Sequence, residues 1–244
     1  LVLKLLDRGE FLDQYLLPSS TGFTLLHAAA YKGYKDLAEQ LVKHHSDKAA
    51  LFKPNKNGFT ALHNAASFCH PEVAQVLLDS GKTELFKPDI SGETALHIAV
   101  KTGCAPLVRM LLAVPGANIF YFMRDKKNEG FPFQAACKTC NNHDVFEAFV
   151  GDNVSDLMKD WHLHMQHPLW GYPHHIAAIN SNMFAISYYL RCPTLKNILF
   201  SQKNLHGKSA YQLALLHKKY RVATFITMME AIDDVLKNIP VDPL

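Results

Sequence analysis

The sequence has little net charge and no long apolar run. Its formal charge at neutral pH is +3, whereas a nucleic-acid-binding protein usually concentrates far more positive charge on one surface. The most apolar window, residues 104–123, is interrupted by Pro106, Arg109 and the Pro115–Gly116 step, although a membrane-spanning helix needs about 20 predominantly apolar residues. We therefore expect neither a nucleic-acid partner nor a membrane span.

Cysteine is scarce, and the number of cysteines is odd. Five cysteines spread over 244 residues do not resemble a disulfide framework, and free thiols are typical of a reducing compartment. The chain does not open with a charged segment followed by an apolar one, so we find no secretory signal. These absences predict a cytoplasmic, intracellular location, with membrane association only through other parts of a full-length protein.

The sequence also lacks the motifs of common enzyme classes. It contains no G-x-S-x-G, no H-E-x-x-H and no G-x-G-x-x-G, which mark a serine hydrolase, a zinc protease and a dinucleotide site. Gly207, Lys208 and Ser209 resemble the end of a phosphate-binding loop, but that loop requires a glycine where this chain has Gln202. We predict that this segment is not an enzyme and needs no cofactor.

What the sequence does contain is a repeated segment. Residues 22–30 read GFTLLHAAA, residues 58–66 read GFTALHNAA and residues 92–100 read GETALHIAV, so the leading glycines are 36 and then 34 residues apart. A threonine follows two residues after each glycine, where its hydroxyl can cap a helix. A second apolar segment at helical spacing follows each copy. No such helix pair can bury its apolar face alone, so the pattern predicts pairs that stack on one another.

This pattern resembles the ankyrin repeat. The resemblance is carried by T-x-L-H at 24–27, 60–63 and 94–97, by the alanines that follow, and by L-L-D-S-G ending at Gly81. It implies an all-α solenoid of stacked helix-turn-helix units joined by hairpin loops. Weaker copies of the pattern occur at three later places: GFPFQAAC at 130–137, GYPHHIAA at 171–178 and GKSAYQLAL at 207–215.

The repeat frame assigns the whole chain, residues 1–244, to one ankyrin-repeat domain. Six repeats follow an N-terminal half-repeat, and the two divergent copies carry their glycine one residue closer to the helix than the others do. The expected boundaries are 1–20 for the half-repeat, 21–56, 57–90 and 91–127 for the regular repeats, 128–168 and 169–203 for the divergent repeats, and 204–244 for the C-terminal capping repeat.

Cysteine and histidine cluster in CKTCNNH, residues 137–143, and again in residues 162–175. A C-x2-C pair with nearby imidazoles is typical of a zinc site. The repeat frame offers a structural interpretation, because Cys137 falls on the second alanine of the Ala pair and Cys140 on the glycine that ends the first helix. We expect packing, with a metal or Cys/His catalytic site in repeats four and five as the alternative. The candidate ligands for that alternative are Cys140, His143, His162 and His164.

Several other histidines match the histidine of the ankyrin pattern. The resemblance implies that these imidazoles bond loop backbone and tie adjacent repeats together. His174 takes the place of a leucine, so we expect a half-buried ring there. The matching histidines are His27, His63, His97 and His175.

The resemblance also implies where a partner protein would bind. In ankyrin repeats, contacts come from hairpin tips and from the ends of first helices, on the concave face of the stack. Four of the matching positions are aromatic, and neighbouring hairpins either expose or partly shelter them. The matching positions are Phe23, Tyr31, Lys32, Lys56, Asn57, Phe59, Ser67, Phe68, Ile90, Ser91, Glu93, Lys101 and Thr102.

Our main hypothesis is a monomeric, non-catalytic module that binds another protein. An alternative follows from Leu1, which is not a methionine and leads us to expect a longer parent protein. In that case the repeats would be the targeting or regulatory arm of an enzyme, a channel or a bacterial effector delivered into host cells. A second open question is whether hairpin cations form a basic rim that meets an acidic partner or only keeps the edge soluble. These cations are Lys53, Lys56, Lys87, Arg124, Lys126 and Lys127.

Overall fold

A computed structural model describes most of the repeat array. The described residues are 17–44, 48–81, 87–115, 123–126, 130–138, 142–151, 166 and 171–237. Every regular element among them is a helix, as the resemblance predicts. The chain divides into two compact units, Leu1–Pro132 and Phe133–Leu244, which are described separately below.

The first unit contains three helix pairs. The first helices are α1 (Leu25–Lys32), α4 (Ala61–Ser67) and α6 (Ala95–Thr102), and the second helices are α2 (Lys35–His44), α5 (Pro71–Asp79) and α7 (Ala105–Ala113), with a short helix α3 (Lys48–Leu51) between the first two pairs. The first helices pack against one another in order, and α5 packs against both α2 and α7. Each pair therefore buries its apolar face against the next pair.

Local signals in the sequence start and end these helices. Thr24 is the N-cap of α1, and its hydroxyl accepts from the backbone N–H of His27. Gly33 ends the same helix in the left-handed conformation, with φ of 73°, which glycine adopts without steric cost. Cys69 stands in the equivalent slot after α4 and is also left-handed, with φ of 52°, as the repeat frame predicts.

A histidine joins each of the first two repeats to the next one. His27 Nε2 lies 2.8 Å from the carbonyl oxygen of Phe59, and His63 Nε2 lies 3.0 Å from that of Glu93. In both repeats the backbone N–H of the N-cap threonine donates to Nδ1. Because a carbonyl can only accept, Nε2 must carry the ring proton. The prediction that these histidines tie adjacent repeats together is confirmed.

Close backbone contacts link the hairpin tips of the first unit. The N–H of Lys56 donates to the carbonyl of Thr21 at 2.9 Å, and that of Ile90 donates to Asn57 at 3.1 Å. Gly58 has φ of 77°, and a Cβ built on it would stand 2.9 Å from the Cα of Asp89 in the next hairpin. Glycine is required here both for its conformation and for the close approach of the two hairpins.

The second unit repeats the same design. Its helices are α8 (Pro132–Lys138, which begins at the last residue of the first unit), α9 (His143–Val150), α10 (Pro173–Ile179), α11 (Met183–Arg191), α12 (Pro193–Ser201), α13 (Ala210–Leu216) and α14 (Tyr220–Lys237). First helices α10 and α13 pack together, and α12 is an additional helix that the repeat pattern does not predict. Together with the first unit, this confirms the all-α fold class.

The one-residue departure in the fifth repeat places Tyr172 at the N-cap of α10. His175 then occupies the usual histidine position, where Nδ1 accepts from the N–H of Tyr172 and Nε2 lies 3.1 Å from the carbonyl oxygen of Gln202. Our expectation for His174 is wrong, because this ring is fully buried rather than half-buried. It contacts the ring of Tyr172, which is nearly parallel to it, and the ring of the buried Tyr189.

Candidate functional site

Two exposed aromatic rings meet at the C-terminal ends of neighbouring first helices. The ring centroids of Tyr31 and Phe68 are 4.3 Å apart and the rings are inclined at 60°. Although they touch, Tyr31 remains 41% exposed and Phe68 remains 47% exposed. The ammonium of Lys32 stands 5.0 Å from the centroid of the Tyr31 ring, within range of a cation–π contact. We call Tyr31, Lys32 and Phe68 the aromatic patch.

The other two aromatic residues of the predicted surface are partly sheltered. Phe23 packs against His27 with the ring centroids 5.1 Å apart, and Phe59 packs against His63 at 5.3 Å. Both phenylalanines are half-buried. They cover the imidazoles that join the repeats, so packing already accounts for part of their apolar surface.

The hairpin tips present their side chains outwards while their backbone groups are engaged. Lys56 and Asn57 are exposed, and Ile90 is 62% exposed. Ser91 is half-buried, and its carbonyl accepts from the N–H of Lys126 at 2.7 Å. Backbone hydrogen bonds therefore hold the hairpin tips in place, and the exposed side chains of the tips are available to a partner.

Four of the predicted contact residues form side-chain hydrogen bonds or an ion pair within the structure. Lys101 forms an ion pair with Glu93, and its Nζ lies 4.0 Å from a carboxylate oxygen of the buried Asp125. Thr102 donates its hydroxyl to the carbonyl of Ala66 in the previous repeat at 2.9 Å. Ser67, at the end of α4, donates to the carbonyl of His63 at 2.9 Å.

The hairpins of the first unit expose more positive than negative charge. The carboxylate of Asp89 is buried and accepts from the N–H groups of Ser91 and Glu93 at 2.8 Å. Two cations are engaged as well: Arg124 stands over the Phe131 ring, 4.7 Å from its centroid, and Lys126 Nζ donates to the carbonyl of Ile90 at 3.2 Å. Lys127 lies outside the described residues. The exposed cations of the rim are Lys53, Lys56, Lys87, Arg124 and Lys126.

A disulfide joins the second and third repeats, contrary to our expectation of free thiols. Cys69 and Cys104 are bonded, with their Cα atoms 5.4 Å apart and a sequence separation of 35. The expectation is wrong because it treats the cysteines by number and not by position. The bridge lies beside the aromatic patch, since Cys69 directly follows Phe68.

Of the four predicted metal ligands, His143 lies within the described residues. Cys140, His162 and His164 lie outside the described residues. His143 is exposed at the start of α9, where its Nδ1 is 3.4 Å from Asp144 and 3.5 Å from Glu147, and its ring packs against Phe184. These three side chains could place one ligand atom each within 4.8 Å of one another, but exposed carboxylates at a helix start also stabilise the helix dipole without an ion.

Burial favours the uncharged forms of four buried histidines and of Cys137. Burial lowers the pKa of His63 to about 4 and that of His175 to about 4, and it also lowers the pKa of His27 and His97. Burial raises the pKa of the Cys137 thiol, which suits its predicted place in the Ala-pair position. At neutral pH the four imidazoles are therefore neutral, and this thiol is protonated.

Comparison with known proteins agrees with this architecture. The family model for ankyrin repeats, in three copies, matches residues 1–87 and 46–123, which together cover just over half of the chain. The ankyrin repeat-containing protein ITN1 of Arabidopsis thaliana is 39% identical over 62 residues, which are 25% of this chain. The alignment spans only about a tenth of the length of ITN1.

A solved structure extends the likeness beyond the first three repeats. The ankyrin repeat domain of Bcl-3, a member of the IkappaB protein family, matches with a TM-score of 0.68 over 93% of this chain and 90% of its own. At 22% identity this similarity shows the fold alone. None of the helices in the described residues is long and apolar enough to cross a membrane. The family model, the helix pairs and the histidine bonds between repeats together establish that this chain belongs to the ankyrin-repeat family.

Proposed function

We propose that this protein is a non-catalytic module that binds another protein through the hairpin tips and first helices of residues 21–102. Ankyrin repeats generally serve as protein-interaction modules, and their fold is typically non-catalytic. The observation that carries the finer proposal is the aromatic patch, in which two rings pack on each other and both stay exposed.

The physical argument rests on the cost of exposed aromatic surface. Tyr31 and Phe68 leave apolar area in water although each already has a partner ring, and aromatic residues of this kind are typical energetic centres of protein interfaces. Lys32 lies against the Tyr31 ring, and Lys56 and Ile90 are exposed at the hairpin tips. A partner with an apolar side chain to place on the two rings, and with acidic groups around it, would complement this surface.

The proposal that the module has no catalytic role is supported by how its titratable groups are used. Both nitrogens of His27, His63 and His175 are hydrogen-bonded to backbone. Their lowered pKa values reflect burial and not a poised acid or base. Lys101, in α6, is also engaged, because it forms an ion pair with Glu93 in the hairpin that precedes this helix.

A capture experiment with matched variants tests the proposal. The immobilised protein, the double variant Tyr31→Ala/Phe68→Ala and the control Tyr220→Ala are incubated with extract, and retained proteins are quantified by mass spectrometry. Tyr220 is 62% exposed in the second unit, so its removal controls for the loss of an exposed ring elsewhere. We expect at least one protein that the wild type and the control retain equally and that the double variant loses at least tenfold.

The outcome that contradicts the proposal is equally definite. If the double variant keeps its helical circular dichroism and its melting temperature within a few degrees, and still retains every captured protein at the wild-type level, then the aromatic patch does not bind the partner. Because both rings are substantially exposed, their truncation should leave the stack intact.

An intracellular location and a monomeric state remain part of the proposal. Size-exclusion chromatography with light scattering checks the second point, for which a mass near 27.4 kDa is expected. The first point depends on the thiol state of Cys69 and Cys104, because a reducing compartment would open their bond.

A further inference from the structure

The Cys69–Cys104 bridge occupies a contact that the repeat register creates. Cys69 stands in the left-handed slot that ends a first helix, which is the slot of Gly33 one repeat earlier. A Cβ built on Gly33 would lie 2.6 Å from the ring of His70, the next repeat's residue in the position of Cys104. Stacking therefore brings the slot that ends one first helix close to the residue that follows the same slot in the next repeat. In the second repeat the first position is Cys69, and in the third repeat the second position is Cys104.

The two sulfur atoms differ in surroundings. Cys69 is exposed, whereas Cys104 is buried with 2% of its surface accessible. Cys104 is also the N-cap of the nine-residue helix α7, where the free backbone N–H groups and the helix dipole stabilise a negative charge. An incoming thiolate can therefore reach Cys69 more readily, and attack there makes Cys104 the sulfur that leaves.

We propose that Cys69–Cys104 is a reversible thiol–disulfide site that responds to dithiols through attack at Cys69. The thiolate of an external dithiol forms a bond to the sulfur of Cys69, and the bond between the two protein sulfurs breaks with its electron pair going to Cys104. The Cys104 thiolate takes up a proton from water. The second thiol of the reagent then attacks the mixed disulfide, so the reagent is oxidised to its disulfide and both cysteines are reduced.

Opening the bridge affects the ends of two first helices. The neighbours of the bridge include Phe68, which directly precedes Cys69, and Thr102, whose hydroxyl bonds the carbonyl of Ala66. After reduction this hydrogen bond and the packing of α4 on α6 still join the repeats, so we expect local loosening and not unfolding. The site does not depend on the proposed partner, although it borders the aromatic patch.

The first test maps the reactive sulfur in the 244-residue chain. The air-oxidised protein is treated with glutathione under native conditions, quenched with acid, and analysed by peptide mass spectrometry for mixed disulfides. We expect the glutathione adduct on Cys69 to exceed that on Cys104 at least tenfold. The variant Cys104→Ser should accumulate the adduct on Cys69 from oxidised glutathione, whereas Cys69→Ser should leave Cys104 unmodified at the same time point.

The second test follows opening and closing of the bridge. Defined mixtures of reduced and oxidised dithiothreitol should convert the linked peptide to free thiols and back, with far-UV circular dichroism unchanged and with faster hydrogen exchange in peptides around residues 66–72 and 100–106. The proposal is overturned if the bridge is reduced only when the protein unfolds, if the adduct forms equally on Cys104, or if air-oxidised protein contains no linked peptide. The wild-type mapping keeps the test decisive even where a serine variant fails to fold.

Discussion

The buried imidazole of His63 should make the first unit sensitive to acid. Burial lowers its folded-state pKa from the ordinary 6.5 to about 4, so the unfolded chain takes up a proton at a higher pH than the folded chain does. The contribution of the neutral His63 ring to the free energy of unfolding is therefore fully present above about pH 6.5 and is lost progressively as the pH falls towards 4. At pH 5 the loss from this one ring is about 2 kcal/mol relative to pH 7.

The substitution His63→Gln isolates this contribution. The sixth repeat shows that glutamine suits the position, since Gln212 accepts from the N–H of its N-cap Ser209 at 3.1 Å and donates its own N–H to the serine hydroxyl. A glutamine at 63 should preserve the capping box but cannot titrate. The bond of Nε2 to the carbonyl of Glu93 in the next repeat is weakened or lost, so we expect a variant that is less stable at pH 7 by about 1 kcal/mol.

The assay is urea unfolding at pH 7 and pH 5, read by hydrogen-exchange pulse labelling of peptides from α4 and α5 so that the first unit is observed by itself. The free energy of unfolding should fall between these pH values by about 2 kcal/mol more in the wild type than in the variant. His175→Gln serves as the control, because it alters an equivalent ring in the second unit. An identical pH dependence in the wild type and His63→Gln would refute the assignment of a buried, neutral imidazole.

Three further predictions concern stability. Gly58→Ala should lower the free energy of unfolding by about 2 to 3 kcal/mol, because the added Cβ would meet the next hairpin. Gly81 has a similar positive φ but open space around it, so Gly81→Ala should cost about 1 kcal/mol. Equal shifts in melting temperature for the two variants would contradict the close approach at Gly58. Asn182→Ala should cost about 2 kcal/mol in urea unfolding, since its amide bonds two carbonyls of the fourth repeat and caps α11; a loss below about 0.5 kcal/mol would contradict this. Cys69→Ser should destabilise the oxidised protein by about 4 kcal/mol, because the Cys69–Cys104 bond closes a loop of about 36 residues. Reductant should abolish this difference in stability between the wild type and the variant, and a difference that survives reduction would point to another cause.

Much of the fold follows from local rules that act within a few residues. The N-cap threonines, the left-handed slots at Gly33 and Cys69, and the buried alanine-pair position of Cys137 are all set by short-range sterics and hydrogen bonding. These rules repeat with the period of the sequence, so three copies specify the stack. The structural role of His27 and its equivalents follows from the family resemblance.

Other features depend on contacts that local patterns do not contain. The ring of His174 is fully buried and contacts the rings of Tyr172 and Tyr189, and a hydrophobicity pattern assigns histidine no such place. Helix α12 (Pro193–Ser201) lies within the predicted bounds of the fifth repeat, but the two-helix pattern of the repeat does not contain it. The repeat register is sufficient to predict the disulfide, because Cys69 and Cys104 occupy slots that consecutive repeats bring together. The number of cysteines, on which the expectation of free thiols rests, contains no information about this pairing.

The candidate surface is also only partly predictable. Sequence reasoning treats Phe23, Tyr31, Phe59 and Phe68 alike and leaves open whether each is exposed or sheltered; only Tyr31 and Phe68 of the four are exposed. The half-burial of Phe23 and Phe59 depends on how each ring lies against the histidine four residues later. The exposure of a side chain at a hairpin is decided by the neighbouring hairpin, whose distance the sequence does not state.

Photo-cross-linking tests the central claim most directly. Benzoylphenylalanine is incorporated in place of Phe68 or, as the control, in place of Tyr220, and the protein is irradiated in extract. The account predicts that one protein is cross-linked from position 68 and not from position 220, and that adding Tyr31→Ala reduces its yield at least tenfold. The same adducts from both positions, or none from position 68 in a folded protein, would contradict binding through the aromatic patch.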